Sequence, residues 1–273
     1  MHLKEYRICM PLTVQEYRIG QLFMIAKHSH EQSQEGEGVE VVKNEPCEHE
    51  EHGKGQFTEK RIHLSSKLPQ WIRSMIPAIF YITEKAWNYY PYTRTEYTCS
   101  FIPRFSVHIT TKYEDNNGST ENCHNLSEEE LSQREVDFID IVSDPIDESK
   151  YKEEEDLTKV KSTKTGRGPF GKDWRDTTSP VMCSYKVVRC FFEVWGLQTK
   201  VEGYAQRSCR DVNLLGHRQA ISWMDEWIGM NLDDIRAYET EMNKKTNQKV
   251  LQDVGELPTE CSPCEVGDNV DAL

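Results

Sequence analysis

Polar and charged side chains are set among aromatic ones in residues 80–94, with the sequence FYITEKAWNYYPYTR. Six of these fifteen residues are aromatic, and the polar ones include Thr83, Glu84, Lys85 and Asn88. Aromatic rings bring large apolar area, whereas Glu and Lys are rarely buried without a partner. The stretch therefore either lines a site where a polar ligand enters an apolar enclosure, or forms a strand and turn whose charges face water. The residues alone favour the second interpretation, since solvated charges are the commoner case.

A second set of potential ligands lies at residues 47–52, with the sequence CEHEEH. Cysteine, histidine and carboxylate groups bind metals, but zinc sites usually join two separated pairs of ligands. The spacing also lacks the HExxH pattern. A solvated hairpin turn is therefore favoured, and neither a metal site nor a cofactor is expected.

No catalytic pattern is visible elsewhere in the sequence. There is no G-x-S-x-G elbow, and KTGRGP at residues 164–169 lacks the spacing of a phosphate-binding loop. The carboxylates occur in runs, such as residues 128–130 and 153–156, which are typical of solvated faces. We therefore predict that the chain is not an enzyme.

The charge balance limits the possible partners. The 273 residues carry a net charge of -13, with 37% hydrophobic and 29% charged residues. Nucleic acid is not an expected partner, because phosphate binding needs a concentrated basic face. Contact with an anionic membrane would have to be local. Nine scattered cysteines and the lack of an apolar leader or spanning segment favour the cytoplasm.

The pattern of elements favours an α+β fold. Alternating apolar residues predict strands near residues 3–12, 39–46, 56–66, 95–101, 105–115 and 136–142, and a long strand over residues 183–195. The second of these is expected to close at Pro46. Helices are expected over residues 14–28, where Thr13 and Glu16 form a capping box, over residues 200–228, and from residue 233. The apolar stripe of the second helix includes Val201, Val212 and Leu215. We predict an antiparallel sheet covered by helices, in one domain over residues 1–250, and a disordered acidic tail over residues 251–273.

Several long motifs occur in an order that resembles one known family. They are LKEYRICMPLTVQEYRIGQLF, GEGVEVVKNEP, GQFTEKR, TEKAWNYYPY, KTGRGP, MCSYKVV and VWGLQTKVE. Together they resemble the phosphatidylinositol transfer protein family from about residue 3 to residue 242. The segments EYTCSF and KYEDN are similar to a soluble single-domain subfamily.

The resemblance implies a START-like helix-grip fold, in which a curved antiparallel sheet encloses a lipid cavity and a long helix lies near the C-terminus. It implies a monomer that exchanges single phospholipids between membranes and binds them transiently. Phosphatidylinositol is the implied ligand, and the subfamily is associated with phosphatidic acid as a second one. An alternative role is a lipid-dependent scaffold or sensor that presents phosphoinositide to signalling enzymes.

The resemblance also implies the residues that bind the lipid. The head-group residues of the family match Thr58, Lys60, Glu84 and Asn88, and Gln21, Thr95 and Thr111 match supporting polar positions. Val194 and Trp195 match a membrane-docking pair, in which other members carry two tryptophans. From the residues alone, Trp195 is equally compatible with core packing.

Overall fold

The computed structural model describes residues 2–34, 36–64, 68–74, 76–77, 80–99, 101–102, 104–193 and 196–251. Its strands are β1 (His2–Met10), β2 (Gly38–His49), β3 (Gly53–His63), β4 (Tyr81–Tyr89), β5 (Tyr92–Thr98), β6 (Phe105–Glu114), β7 (Arg134–Ile139) and β8 (Met182–Phe192). Its α-helices are α1 (Val14–Gln32), α2 (Gln70–Arg73), α3 (Glu128–Gln133), α4 (Trp174–Thr177), α5 (Gln198–Ser222), α6 (Met224–Trp227) and α7 (Leu232–Leu251). Of the predicted tail over residues 251–273, Leu251 is the last residue of α7, and residues 252–273 lie outside the described residues.

One eight-stranded sheet has the order β2-β3-β4-β5-β6-β8-β1-β7. Neighbouring strands are antiparallel except β1 and β7, which run parallel from the pair Leu3 and Arg134 to the pair Ile8 and Ile139. The α+β class with a long C-terminal helix is therefore confirmed, and the sheet is mixed at one edge. The parallel pair arises because the chain crosses from β6 through α3 before β7 joins the far side of β1.

Helix α1 begins at the predicted capping box. The Thr13 side chain accepts from the Glu16 backbone N–H at 3.1 Å, and Glu16 accepts from the Thr13 N–H at 2.7 Å. The helix continues four residues beyond the predicted end at residue 28. Its last turn packs on α7, where Lys249 Nζ donates to the His30 carbonyl at 3.3 Å, so tertiary contact extends a helix whose end is polar in sequence.

The core lies between α1, α6 and the buried strands β1 and β8. Gly20 of α1 lies against Trp227, since a Cβ at this position would be 2.8 Å from the Trp227 ring. The Trp227 Nε1–H donates to the Ala220 carbonyl at 2.8 Å. Glycine at residue 20 thus permits the close approach of the two helices.

The expectation for residues 200–228 was partly wrong. The single helix that was expected is interrupted at Trp223, and Val212 is 59% exposed instead of facing the core. Leu215 of the predicted stripe is buried as expected, but the buried residues of α5 also include the polar Glu202 and Gln206. Gln206 is accommodated there because its side-chain oxygen accepts a hydrogen bond from the Tyr6 hydroxyl of β1 at 2.9 Å.

Strand β2 also differs from its prediction, since it continues through Pro46 to His49. Proline lacks an N–H and is tolerated on an edge strand. Strand β2 is an edge strand, and Pro46 lies opposite Gln56 of β3.

Candidate functional site

Six of the seven predicted head-group residues lie on strands, and the strand register places them on one face of the sheet. Lys60 lies opposite Glu84, and Thr58 lies opposite Ala86. Opposed residues of neighbouring strands point to the same side of a sheet. The same register across β4, β5 and β6 links Ala86 to Thr95, and links Asn88 through Thr93 to Thr111.

Helices α1 and α5 cover this face, which we call the inner face. Tyr113, two residues after Thr111 and so on the same face, donates its hydroxyl to Gln21 Oε1 of α1 at 3.0 Å. Tyr6 of β1, which shares this face, donates its hydroxyl to Gln206 Oε1 of α5 at 2.9 Å. Gln21, the seventh predicted residue, therefore reaches the inner face from the helix side.

The inner face retains accessible surface along part of the sheet. Strand β8 is buried along most of its length, whereas β3 and β4 are half-buried at most positions on both faces. One solvated face and one close-packed face would produce alternation between exposed and buried residues. The partial exposure of both faces indicates that the helices do not close-pack on the inner side of β3 and β4.

Lys60 and Glu84 form an ion pair within this accessible region. Lys60 Nζ and Glu84 Oε1 are 3.6 Å apart, and their side chains are 13% and 15% exposed. Tyr97 lies opposite Glu84 on β5. Burial, together with the Glu84 carboxylate, raises the pKa of Tyr97 well above its ordinary value. Glu84 is therefore held between a cation and a neutral hydroxyl.

Further polar side chains that the sequence did not single out extend this region. Gln56 Nε2 donates to Asn44 Oδ1 at 2.7 Å, and the Thr58 hydroxyl donates to the same oxygen at 3.4 Å. The Thr93 hydroxyl donates to Asn88 Oδ1 at 3.5 Å. The Gln56–Asn44 hydrogen bond is of ordinary length, whereas the contacts of Thr58 and Asn88 are long for hydrogen bonds. The side chains of Thr58 and Asn88 can therefore form a hydrogen bond with another partner.

Gln21 and Thr111 are buried more deeply, at 4% and 3% exposed. Gln21 Oε1 accepts from Tyr113, but Gln21 Nε2 is buried without a hydrogen-bond partner among the described residues. An unpaired buried donor is unfavourable by about 1–3 kcal/mol. The amide is thus suited to donate to a bound acceptor.

Lys186 is the main residue of this region that the sequence analysis missed. It lies on β8, directly opposite Thr111 on one side and Tyr6 on the other. Burial lowers its pKa to about 8, and within the described chain no carboxylate forms an ion pair with it. The available signal was a single lysine inside the apolar strand MCSYKVVRC, since lysine is rarely buried in such a setting.

Helix α5 contributes a histidine to the same region. His217 stacks on Tyr17 of α1, with ring centroids 5.8 Å apart. Its Nδ1 lies 2.7 Å from the Asn213 carbonyl and so carries the proton, while Nε2 is buried without a partner among the described residues. Burial and the Lys186 charge lower the pKa of His217 to about 3. The neutral ring therefore offers an acceptor beside the Lys186 ammonium.

The predicted docking residues Val194 and Trp195 lie outside the described residues. Strand β8 ends at Phe192, and the described chain resumes at Gly196, whose φ is 79°. Among the described helices, none has both the length and the apolar character that a bilayer-spanning segment needs.

These features define an α+β protein whose helices and sheet hold a polar row within an accessible inner region. Residues 1–244 match the family described as phosphatidylinositol transfer protein. The chain is 64% identical over 248 residues to cytoplasmic phosphatidylinositol transfer protein 1 of Drosophila melanogaster, with 91% of each chain covered. It is 60% identical over 250 residues to the Homo sapiens protein of that name, with 92% of this chain and 75% of that protein covered.

A more distant relative supports the same assignment. Phosphatidylinositol transfer protein 5 of Dictyostelium discoideum is 48% identical over 250 residues, with 91% of this chain and 85% of that protein covered. The chain belongs to the phosphatidylinositol transfer protein family. The predicted resemblance is confirmed, and so is the prediction of a non-enzyme, since these relatives are lipid transfer proteins.

Proposed function

We propose that this protein binds one phosphatidylinositol in the space at the inner face and exchanges it between membranes as a monomer. The observation that carries the proposal is the polar row on that face. The row runs from Asn88 through Thr93 and Thr111 to Lys186. Strands are about 4.8 Å apart, so the row crosses roughly 14 Å along the sheet, which suits an inositol ring and its phosphate together.

The phosphate is assigned to the deep end of the row. Lys186 is a cation without a paired carboxylate in the described chain, and Gln21 Nε2 is a donor without a partner. A buried phosphodiester needs both charge compensation and hydrogen-bond donors. The hydroxyls of Thr111 and Thr95 lie on the same face and supply further donors.

The inositol ring is assigned to the other end, where acceptors and donors alternate. Lys60 is compensated by Glu84 at 3.6 Å, so it is less suited than Lys186 to neutralise the phosphate. Glu84 and Asn88 accept from ring hydroxyls, while Thr58 and Lys60 donate to them. Hydroxyl recognition of this kind distinguishes an inositol lipid from one whose head group cannot pair with these groups.

Phosphatidic acid is the proposed second ligand. It would use the contacts around Lys186 and leave Glu84 and Asn88 hydrogen-bonded to water.

The proposed exchange of lipid breaks no covalent bond. Each acyl methylene removed from water contributes about 0.8 kcal/mol, so the lipid stays enclosed in the cytoplasm and leaves when Trp195 and Val194 bring the protein transiently to a bilayer.

Mass spectrometry of lipids that co-purify with the full-length protein, followed by vesicle-to-vesicle transfer, tests this function. Asn88→Ala should lose inositol lipid and retain phosphatidic acid, whereas Lys186→Met should weaken both. Lys85→Ala is the matched control, because this exposed residue is adjacent to Glu84 on the opposite face of β4. Asn88→Ala protein that still extracts inositol lipid at the normal level would overturn the head-group assignment.

Transfer kinetics separate exchange from the scaffold role. Trp195→Ala should reduce transfer while leaving the bound lipid in place. A protein that binds phosphatidylinositol but transfers none, even with Trp195 intact, would instead support the scaffold or sensor.

A further inference from the structure

Histidine, glutamate and tyrosine side chains gather at the turn between β2 and β3. One potential ligand atom from each of His49, Glu51 and His52 lies within 4.8 Å of the other two, and all three residues are exposed. His49 lies opposite Gly53, and the preceding pair in the register, Glu48 and Lys54, lies on the inner face. The histidine therefore belongs to the outer face, opposite the proposed head-group site.

Aromatic packing holds the two imidazoles side by side. Their ring centroids are 4.8 Å apart in a stacked arrangement. His52 also stacks on Tyr92 at 4.1 Å, and His49 packs on Tyr89 at 5.4 Å. The rings are thus positioned by two tyrosines on neighbouring strands and not by the turn alone.

Gly55 fixes the position of one of these tyrosines. A Cβ at Gly55 would lie 2.4 Å from Tyr89 Cδ1, so the Tyr89 ring can cross β3 only because residue 55 is glycine. Tyr89 is buried beneath the two histidines. The support for the histidine pair therefore extends from β2 through β3 to β4.

We propose that His49, His52 and Glu51 bind a divalent transition-metal ion, with Zn²⁺ as the fitting species. Each imidazole supplies one ring nitrogen, Glu51 supplies a carboxylate oxygen, and water completes a tetrahedral set. Zinc bonds of 2.0–2.2 Å put neighbouring ligand atoms about 3.3 Å apart. The exposed side chains thus need to close by no more than about 1.5 Å, using the 4.8 Å separation as the limit.

Local charge favours a cation at this turn. Glu48, Glu50 and Glu51 flank the histidines, against one nearby cation of the turn, Lys54. The Glu51 N–H donates to His49 Nδ1 at 3.2 Å, and a metal at this nitrogen would replace that long hydrogen bond. The sequence favoured a solvated turn because its ligands are not in separated pairs, whereas the chain reversal brings residues 49 and 52 together.

The proposal is tested by calorimetric titration of the full-length chain with Zn²⁺ and by Co²⁺ absorption spectroscopy. The protein should carry Cys261→Ser and Cys264→Ser, so that the C-x-x-C pair of the sequence does not contribute. One equivalent of Zn²⁺ should bind with a micromolar dissociation constant, and Co²⁺ should show the visible bands of a tetrahedral site. His49→Ala and His52→Ala should each weaken binding about tenfold or more.

His108→Ala is the matched control, since His108 is a half-buried histidine that lies 3.6 Å from a single carboxylate, Glu96. It should leave the affinity for Zn²⁺ unchanged, and urea denaturation without metal should show that each variant is folded. Unsaturable titration of the parent, or full affinity in the His49→Ala/His52→Ala double variant, would overturn the site. Full affinity in Glu51→Gln would overturn the carboxylate ligand.

Discussion

Lys60 and Glu84 face each other across β3 and β4 on the inner face, with Nζ and Oε1 3.6 Å apart. Each charge alone would lie in a partly desolvated setting, where an unpaired ion is unfavourable. Lys186, four strands away from Lys60 in the order of the sheet, has no such carboxylate partner in the described chain. The proposed site therefore has one end where the lysine charge is balanced by a carboxylate, at Lys60 and Glu84, and another end at Lys186 where it is not.

The Lys60–Glu84 pair should be coupled energetically. Glu84→Ala leaves Lys60 without its partner and should lower the free energy of unfolding by about 1–3 kcal/mol. The Lys60→Ala/Glu84→Ala double variant should lose less than the sum of the single variants. Urea denaturation of the four proteins measures this coupling. Lys85→Ala should stay within about 0.5 kcal/mol of the parent, and strict additivity would show that the pair is not coupled.

The Lys186 ammonium should destabilise the lipid-free protein most strongly below pH 8, and this destabilisation should disappear as the pH approaches 10.5. Its folded pKa of about 8 lies below its ordinary value of 10.5, so the unfolded chain binds more protons between these values. Stability contributed through this group therefore rises with pH across that window. Lys186→Met should be more stable than the delipidated parent at pH 7, with the difference shrinking towards pH 10.5.

The same variant should bind phospholipid less tightly, so stability and function should change in opposite directions. Denaturation at several pH values, with and without lipid, checks both effects. A Lys186→Met protein that is less stable at pH 7 and carries lipid normally would contradict them.

The Asn247 side chain of α7 forms two hydrogen bonds with the backbone of β2 and should stabilise the contact between these elements. Its Nδ2 donates to the Val41 carbonyl at 2.9 Å, and its Oδ1 accepts from the Val41 N–H at 2.7 Å. Asn247→Ala removes both bonds and should lower the free energy of unfolding by about 1–3 kcal/mol. Hydrogen exchange at Val41 should speed up, and so should lipid exchange if α7 closes the site. Gln248→Ala, an exposed neighbour on α7, should change neither rate.

Asp225 should stabilise residues 162–165 above about pH 4. Its carboxylate accepts from the Ser162 hydroxyl and, at 2.7 Å each, from the Thr163 N–H and hydroxyl. These hydrogen bonds, that from Ser162 foremost, lower the pKa of Asp225 below its ordinary value. The contribution is therefore fully present above the unfolded pKa and is lost as pH falls through the folded one.

Asp225→Asn tests this pH dependence, since the amide nitrogen cannot accept hydrogen bonds. The variant should be less stable than the parent at pH 7, and the difference should shrink in acid. Asp211→Asn, at an exposed carboxylate on α5, provides the comparison. A difference for Asp225→Asn that is constant from pH 7 to pH 2 would exclude the carboxylate as its origin.

Local rules predicted the elements where sequence periodicity and capping chemistry agree. Thr13 and Glu16 marked the start of α1, and alternation marked most strands. Long-range contacts decided the remainder. Helix α1 gains its last turn from α7, and β2 continues through Pro46 because an edge strand tolerates a missing N–H.

The orientation of α5 shows the limit of pattern reasoning at the site. The apolar stripe pointed to Val212 as a core residue, yet Gln206 and His217 face inward and Val212 faces water. A hydrophobic pattern predicts which side of a helix packs on an apolar surface. It does not report that the covered surface carries Tyr6, Lys186 and Thr111.

The sequence by itself determined the fold class and the family, since strand alternation and long motifs are properties of the chain. Through the family resemblance it also predicted the polar head-group positions that lie on β3 to β6. Only the tertiary structure decided that Lys186 lies opposite Thr111, that Gln21 Nε2 is left unpaired, and that His49 and His52 stack. The first two depend on contacts between residues far apart in sequence, and the third depends on the chain reversal between β2 and β3. Burial and pKa changes follow from these contacts, because desolvation and charge act through space and not along the chain.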